Sequence, residues 1–327
     1  MLVAGSDPRR PLLSRRTVIR LGALSTTVLL VGCDAAGRNP SEPGTTSPSS
    51  AGSIAGTATS SPDRLTLLAL AEETASLRAQ LGELARRRAE TRRSSRALRR
   101  THDAQLAALQ QLTGTTASPT PSPRSPGWQR LLAAEHDHFH RLASAADEIE
   151  DGPVAWPIAS MAAGQAIAWE TAAGKTTTPV DTGPPAADQD ALQEVLAAEH
   201  AAIYVYGVLG GRTSQAGQPA LFEELLAGYL VHRGRRDALT QMLRSQGADP
   251  VAAEPAYDVA GPPSTPAQVR AGAAALEEAA AQQYAALVAA APAGSRSWAV
   301  AALVDAARRA VAFGDAPTPF PGAPELG

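Results

Sequence analysis

Glu135 and His138 sit three residues apart in the stretch AAEHDHFHRL. On a helix that spacing turns a carboxylate and an imidazole toward the same neighbour, the geometry by which bundled helices hold a metal between them. His136 and His140 lie in the same stretch, which thus carries half of the six histidines in the chain. Traced at three- and four-residue steps, the seam here reads Trp128, Leu131, Glu135, His138, Leu142, so both polar residues are expected to face inward. His102 falls on a second seam with Leu98, Leu106 and Leu109, and Glu73 on a third between Leu70 and Leu77. A two-metal bundle needs a glutamate from each of two helices and Glu-x-x-His from each of the other two. The position three before His102 is Arg99, and the fourth helical stretch offers Gln165 and no histidine. Glu73, His102, Glu135 and His138 are therefore candidate ligands of an incomplete set.

Further polar residues interrupt the seams nearer the C-terminus. One seam runs Leu192, Leu196, Glu199, Ile203, Tyr206, and the next runs Leu225, Tyr229, His232, Arg236, Leu239, Leu243. Glu277 and Tyr284 flank a third, and a fourth carries Asp305 with Arg309 one turn later. An unpaired charge in an apolar core is prohibitively costly, so these groups must pair. A guanidinium can bridge two carboxylates with bidentate hydrogen bonds. Arg236 is the expected bridge in a structural polar core, with Glu199 and Glu277 as its partners and Asp305 as the alternate.

The elements that carry these residues are helices. Alanine dominates the apolar set, aromatics make up 4%, and no stretch has the period-two alternation of a strand. Four helical segments are predicted near 64–90, 95–112, 127–150 and 154–173, and four more near 189–210, 219–246, 266–291 and 296–313. The expected fold is all-α, two tandem four-helix bundles spanning 63–175 and 189–313, with a linker at 176–188 and a Pro-rich tail at 314–327. Residues 34–62, rich in Ser, Thr, Gly and Pro, read as a flexible spacer with a reach of about 30 Å.

Before the spacer, SRRTVIR places Arg15 and Arg16 ahead of a short, mild apolar run and resembles a twin-arginine export motif. That run is too short to span a bilayer permanently. LVGC, ending at Cys33, resembles a lipoprotein processing box. Cys33 is the only cysteine and so cannot form an internal disulfide; lipidation gives it a use, and several acyl chains on one residue make a stable anchor. Residues 1–32 are read as the signal peptide, and the mature chain as a lipid-anchored protein of the cell envelope on the outer face of the cytoplasmic membrane.

AAEHAAIYVYGVLG, HRGRRDAL and PTPFPGAPE together resemble the ferritin-like domain of exported proteins from high-GC bacteria, a family without assigned function. The resemblance covers about 189–327. It implies a ferritin-like four-helix bundle there and a divergent second copy at 63–175. By the same resemblance Glu199 corresponds to a first-helix metal glutamate, Tyr229 and His232 to the second-helix pair, and Glu277 to the third-helix glutamate, with iron or manganese as the metal; the fourth helix has no Glu-x-x-His.

A net charge of -3 gives no reason to expect a nucleic-acid partner. Nine arginines between Arg78 and Arg100, against Glu83 and Glu90, form either a solvated helix face or a contact for anionic lipid or wall polymer. No Gly-rich phosphate loop, cysteine pair or Gly-x-Ser-x-Gly elbow occurs, so no reaction is implied. The expected function is non-enzymatic binding or scaffolding without a cofactor; the alternative is a metal-binding protein of di-iron type.

Overall fold

The computed structural model describes residues 61–120, 126–175, 183, 186–257, 259 and 263–326. Arg15, Arg16, Cys33 and the spacer lie outside the described residues. The described residues form eight α-helices and no strand: α1 (Ser61–Arg87), α2 (Arg92–Thr113), α3 (Trp128–Glu148), α4 (Gly152–Ala173), α5 (Gln189–Gly211), α6 (Pro219–Ser245), α7 (Pro266–Ala290) and α8 (Ser297–Phe313). Each lies within three residues of its expected bounds. Local chemistry sets the ends. Asp188 and Thr265 accept hydrogen bonds from the first turns of α5 and α7, while Gly114 and Gly174 end α2 and α4 in the left-handed conformation that glycine adopts without strain.

In the first half α1 packs on α2 and α3, and α4 packs on the same two helices. In the second half α5 packs on α6 and α7, and α7 on α8. The expected division between α4 and α5 separates two groups of four helices, but they are not independent. α4 also packs on α7 and α8, and α3 on α8, so one apolar core runs from Leu67 through Ile158 and Ala162 to Tyr284 and Leu303. Every residue of α4 from Pro157 to Trp169 is buried, as befits a helix that is apolar all round.

Close approach requires small residues at two points. A Cβ on Gly152 would collide with the Ala289 carbonyl of α7, and one on Gly164 with the Pro319 carbonyl of the tail. The tail is irregular, as its prolines require, yet it is not loose. Phe320 and Ala323 are buried, and Ser160 Oγ donates to the Pro321 carbonyl at 2.8 Å. Arg296 links the halves at the other end. Its side chain is buried and donates to the carbonyls of Ala291 (2.8 Å), Ala146 (3.3 Å) and Ile149, satisfying acceptors that the end of α3 leaves open. No helix among the described residues is long and apolar enough to cross a membrane.

Candidate functional site

Each half contains one buried polar cluster. In the first half Glu73 of α1, His102 of α2, and Glu135 and His138 of α3 all meet. His102 Nε2 lies 2.9 Å from Glu135 Oε2, which also accepts from Gln165 Nε2 of α4 at 2.6 Å. The rings of His102 and His138 are 5.8 Å apart. Thr74 donates to the Leu70 carbonyl at 2.7 Å and lies 3.1 Å from His138 Nε2. A hydroxyl has one proton to give, so His138 Nε2 carries the proton of that contact. His138 Nδ1 is then left 3.3 Å from Glu73 Oε2, off line for a hydrogen bond and attracting it only when the ring is protonated.

Burial holds His138 below the usual histidine range, against the pull of Glu73. Glu73 sits at the rim, where Arg141 forks onto both of its oxygens. Partial burial alone would raise Glu73, but His138 and Arg141 outweigh it and lower it to about 2. The cluster is under-satisfied inside. His102 Nδ1, Glu135 Oε1, His138 Nδ1, Gln105 Oε1 and Gln165 Oε1 are buried without a hydrogen-bond partner, each at a cost of roughly 1–3 kcal/mol.

The second cluster is nearly saturated. His232 of α6 is fully buried, with Nδ1 2.7 Å from Glu199 Oε2 of α5 and Nε2 3.4 Å from Glu277 Oε1 of α7. Burial would lower its pKa, but Glu199 and then Glu277 outweigh that and raise it to about 9. At neutral pH it is therefore an imidazolium donating from both nitrogens. Tyr206 of α5 donates to Glu277 Oε1, and Tyr284 of α7 donates to Glu199 Oε1. The lower-numbered residue of each helix meets the higher-numbered residue of the other, as antiparallel neighbours require. Burial first, with the neighbouring carboxylates, holds both phenols well above their ordinary value, so they remain donors. Beyond them Arg235 donates to Tyr284 Oη at 3.1 Å and to Asp305 Oδ2 of α8 at 2.8 Å, and Arg309 reaches the same Asp305 oxygen at 2.9 Å. Arg235 and Arg309 outweigh burial and hold Asp305 below its usual range. Three carboxyl groups thus face three basic groups.

Two expectations are corrected here. Arg236 is not the bridge: it lies at the surface, on its own neighbour Asp237 at 2.7 Å. Arg235 takes the inward position, because α6 steps by three residues after His232, its buried line running Leu225, Gly228, His232, Arg235, Leu239. The two glutamates are bridged by His232, not by a guanidinium. Tyr229 is also off the seam, half-buried at the edge with the Arg233 guanidinium 5.6 Å above its ring. Gly228 occupies the inward place, and a Cβ there would collide with the Tyr206 ring. Glycine at that position, four before His232, is the signal for the true register.

The metal expectation meets the same geometry. As placed, His232 turns Nδ1 to Glu199 and Nε2 to Glu277, so these three residues would take a metal only by giving up those contacts and the protons between them. Among the described residues, no three His, Cys, Asp or Glu side chains converge as ligands of one ion. The four first-half candidates, Glu73, His102, Glu135 and His138, nevertheless lie in one cluster.

An all-helical chain with a closed ionic core in its second half is the class these features define. Residues 191–325 match a family described as a domain of unknown function, DUF4439. The match covers α5 to α8 and the tail. No curated protein and no solved structure gives a match.

Proposed function

We propose that this chain is a lipid-anchored cell-envelope protein with a ferritin-like second half, acting by binding or scaffolding and not by catalysis. The observation that carries this reading is the His232 imidazolium between Glu199 and Glu277, with a phenol capping each carboxyl group. The residues that the ferritin-like resemblance offers as metal ligands are spent on one another, and they serve stability. Anchoring through Cys33 and export through Arg15 and Arg16 complete the reading. They rest on the N-terminal sequence alone.

The test is elemental analysis of the full chain carrying Cys33→Ser, purified without chelator, alongside thermal melts with and without chelator. Less than about a tenth of an equivalent of iron or manganese, with unchanged melts, is the expected result. Membrane fractionation checks the anchor: the unsubstituted chain should sediment with membranes, and the Cys33→Ser chain should not.

One observation favours the metal-binding alternative, and it lies in the first half. His102 Nδ1, Glu135 Oε1 and His138 Nδ1 are buried without a hydrogen-bond partner, and imidazole nitrogens and carboxylate oxygens are atoms that a metal ion takes as ligands. Near-stoichiometric metal lost on Glu135→Ala, but retained on Glu199→Ala, would establish that reading and overturn the first.

A further inference from the structure

The turn between α1 and α2 brings together charges that ought to repel. Arg86 of α1 and Arg92, Arg96 and Arg99 of α2 line one cavity of about 410 Å³, floored by Gly82 and Ala85. The three α2 residues follow one another at four- and three-residue steps and so share a helix face. Guanidiniums from both helices converge above Gly82: a Cβ there would lie 3.8 Å from Arg99 Nε and 3.9 Å from Arg86 Nη1.

This concentration of charge is compensated only in part. Arg86 pairs with Glu83 on its own helix, and Arg92 reaches only the Ala85 carbonyl, at 3.2 Å. Arg99 Nε is buried and has no hydrogen-bond partner. The first turn of α2 holds no acid, and Thr91 makes no capping bond with its side chain. Arginines at the start of a helix also oppose its dipole, which favours negative charge there. Four guanidiniums lining one groove, one of them paired with an acid, form an arrangement that an anion completes.

We propose that this groove binds a phosphate group. Guanidinium forks on two walls match the several oxygens of a tetrahedral oxyanion, which has more acceptors to share between the helices than a planar carboxylate has. The small residues Gly82 and Ala85 leave the depth that such a group needs. This deepens the anionic-surface contact expected of the Arg78–Arg100 stretch, and rests on the membrane-anchored reading only for the source of the phosphate, either a lipid headgroup or a soluble phosphate ester.

The experiment is calorimetric titration of the full chain carrying Cys33→Ser with inorganic phosphate at low ionic strength. Three variants accompany it. Arg96→Gln with Arg99→Gln should weaken binding by more than tenfold, at about fivefold for each charge removed. Gly82→Leu keeps every arginine and favours the helix but fills the groove, and it should abolish binding with helical circular dichroism intact. Arg87→Gln, on the same turn but outside the cavity, should bind as the parent does. No phosphate binding by the parent overturns the proposal. So does equal weakening by Arg87→Gln, or unchanged binding by Gly82→Leu, since either means diffuse charge attraction. Co-sedimentation separates the sources. Vesicles containing phosphatidic acid that carry down the parent but not Gly82→Leu assign the groove to a lipid headgroup. Phosphate binding without sedimentation assigns it to a soluble ester. Failure of the Cys33 fractionation test would leave the calorimetry untouched.

Discussion

The buried imidazolium at His232 makes stability depend on pH in a stated direction. Its pKa is raised from 6.5 to about 9 in the folded chain by Glu199 and Glu277. Below pH 6.5 the histidine is charged whether the chain is folded or not, and the stabilisation is fully present. Between 6.5 and about 9 the unfolded chain gives up a proton that the folded chain keeps. Unfolding free energy therefore falls as pH rises, by about 1.4 kcal/mol per unit and about 3 kcal/mol over the window. That is a large share of the roughly 5–15 kcal/mol typical of a folded domain. The assay is urea unfolding followed by circular dichroism at half-unit steps from pH 6 to 9, for the parent and for His232→Gln. The window ends below the ordinary range of tyrosine, so the phenols do not confuse it. The parent should lose stability across the window, and the variant, weaker at pH 6, should show a flat profile. Parallel profiles for the two would refute the charged-histidine core outright.

Arg235→Ala should destabilise by about 1.5–3 kcal/mol, since it removes a buried charged hydrogen bond and leaves Asp305 to Arg309 alone, whereas Arg236→Ala should stay within about 0.5 kcal/mol; denaturant unfolding of both variants separates the two registers. Gly228→Ala should cost about 1–3 kcal/mol by pushing the Tyr206 ring off Glu277, and adding Tyr206→Phe should recover part of that loss. Arg296→Ala leaves carbonyls of Ala146, Ile149 and Ala291 without their donor and should lower the melting temperature of the whole chain in a single transition. Toward acid the slope should reverse. Burial lowers His138, so its contribution is complete above the ordinary histidine range and fades as pH falls through it, and His138→Gln should remove that acid-side loss.

Helix number and extent were legible because alanine- and leucine-rich segments with clear breaks leave little choice. The first-half cluster was legible for a related reason: Glu73, His102, Glu135 and His138 each interrupt an otherwise apolar seam, and a buried polar residue seeks another. Arg235 was not. Adjacent arginines after His232 make a three-residue and a four-residue step equally plausible on apolar pattern alone, and only the need for space beside Tyr206 decides between them. The union of the two halves was half visible. α4 is apolar on every side, which a surface helix of a separate bundle could not be, but which helices cover it depends on contacts far apart in sequence. Arg296 belongs to the same category, since its partners are backbone carbonyls, which carry no sequence signal.

The enclosure of α4 by helices of both halves makes the molecule a dimer in all but connectivity. The segment 176–188 holds its two parts at an effective concentration of the millimolar order. Cutting that segment would turn an intramolecular association into a bimolecular one, and the melting temperature of the nicked protein would rise with its concentration, as that of an obligate dimer does. A shorter chain built only from α5 to α8 would carry the apolar face of α7 and α8 uncovered, and would remain in solution only by finding a second copy, or another helix, to cover it.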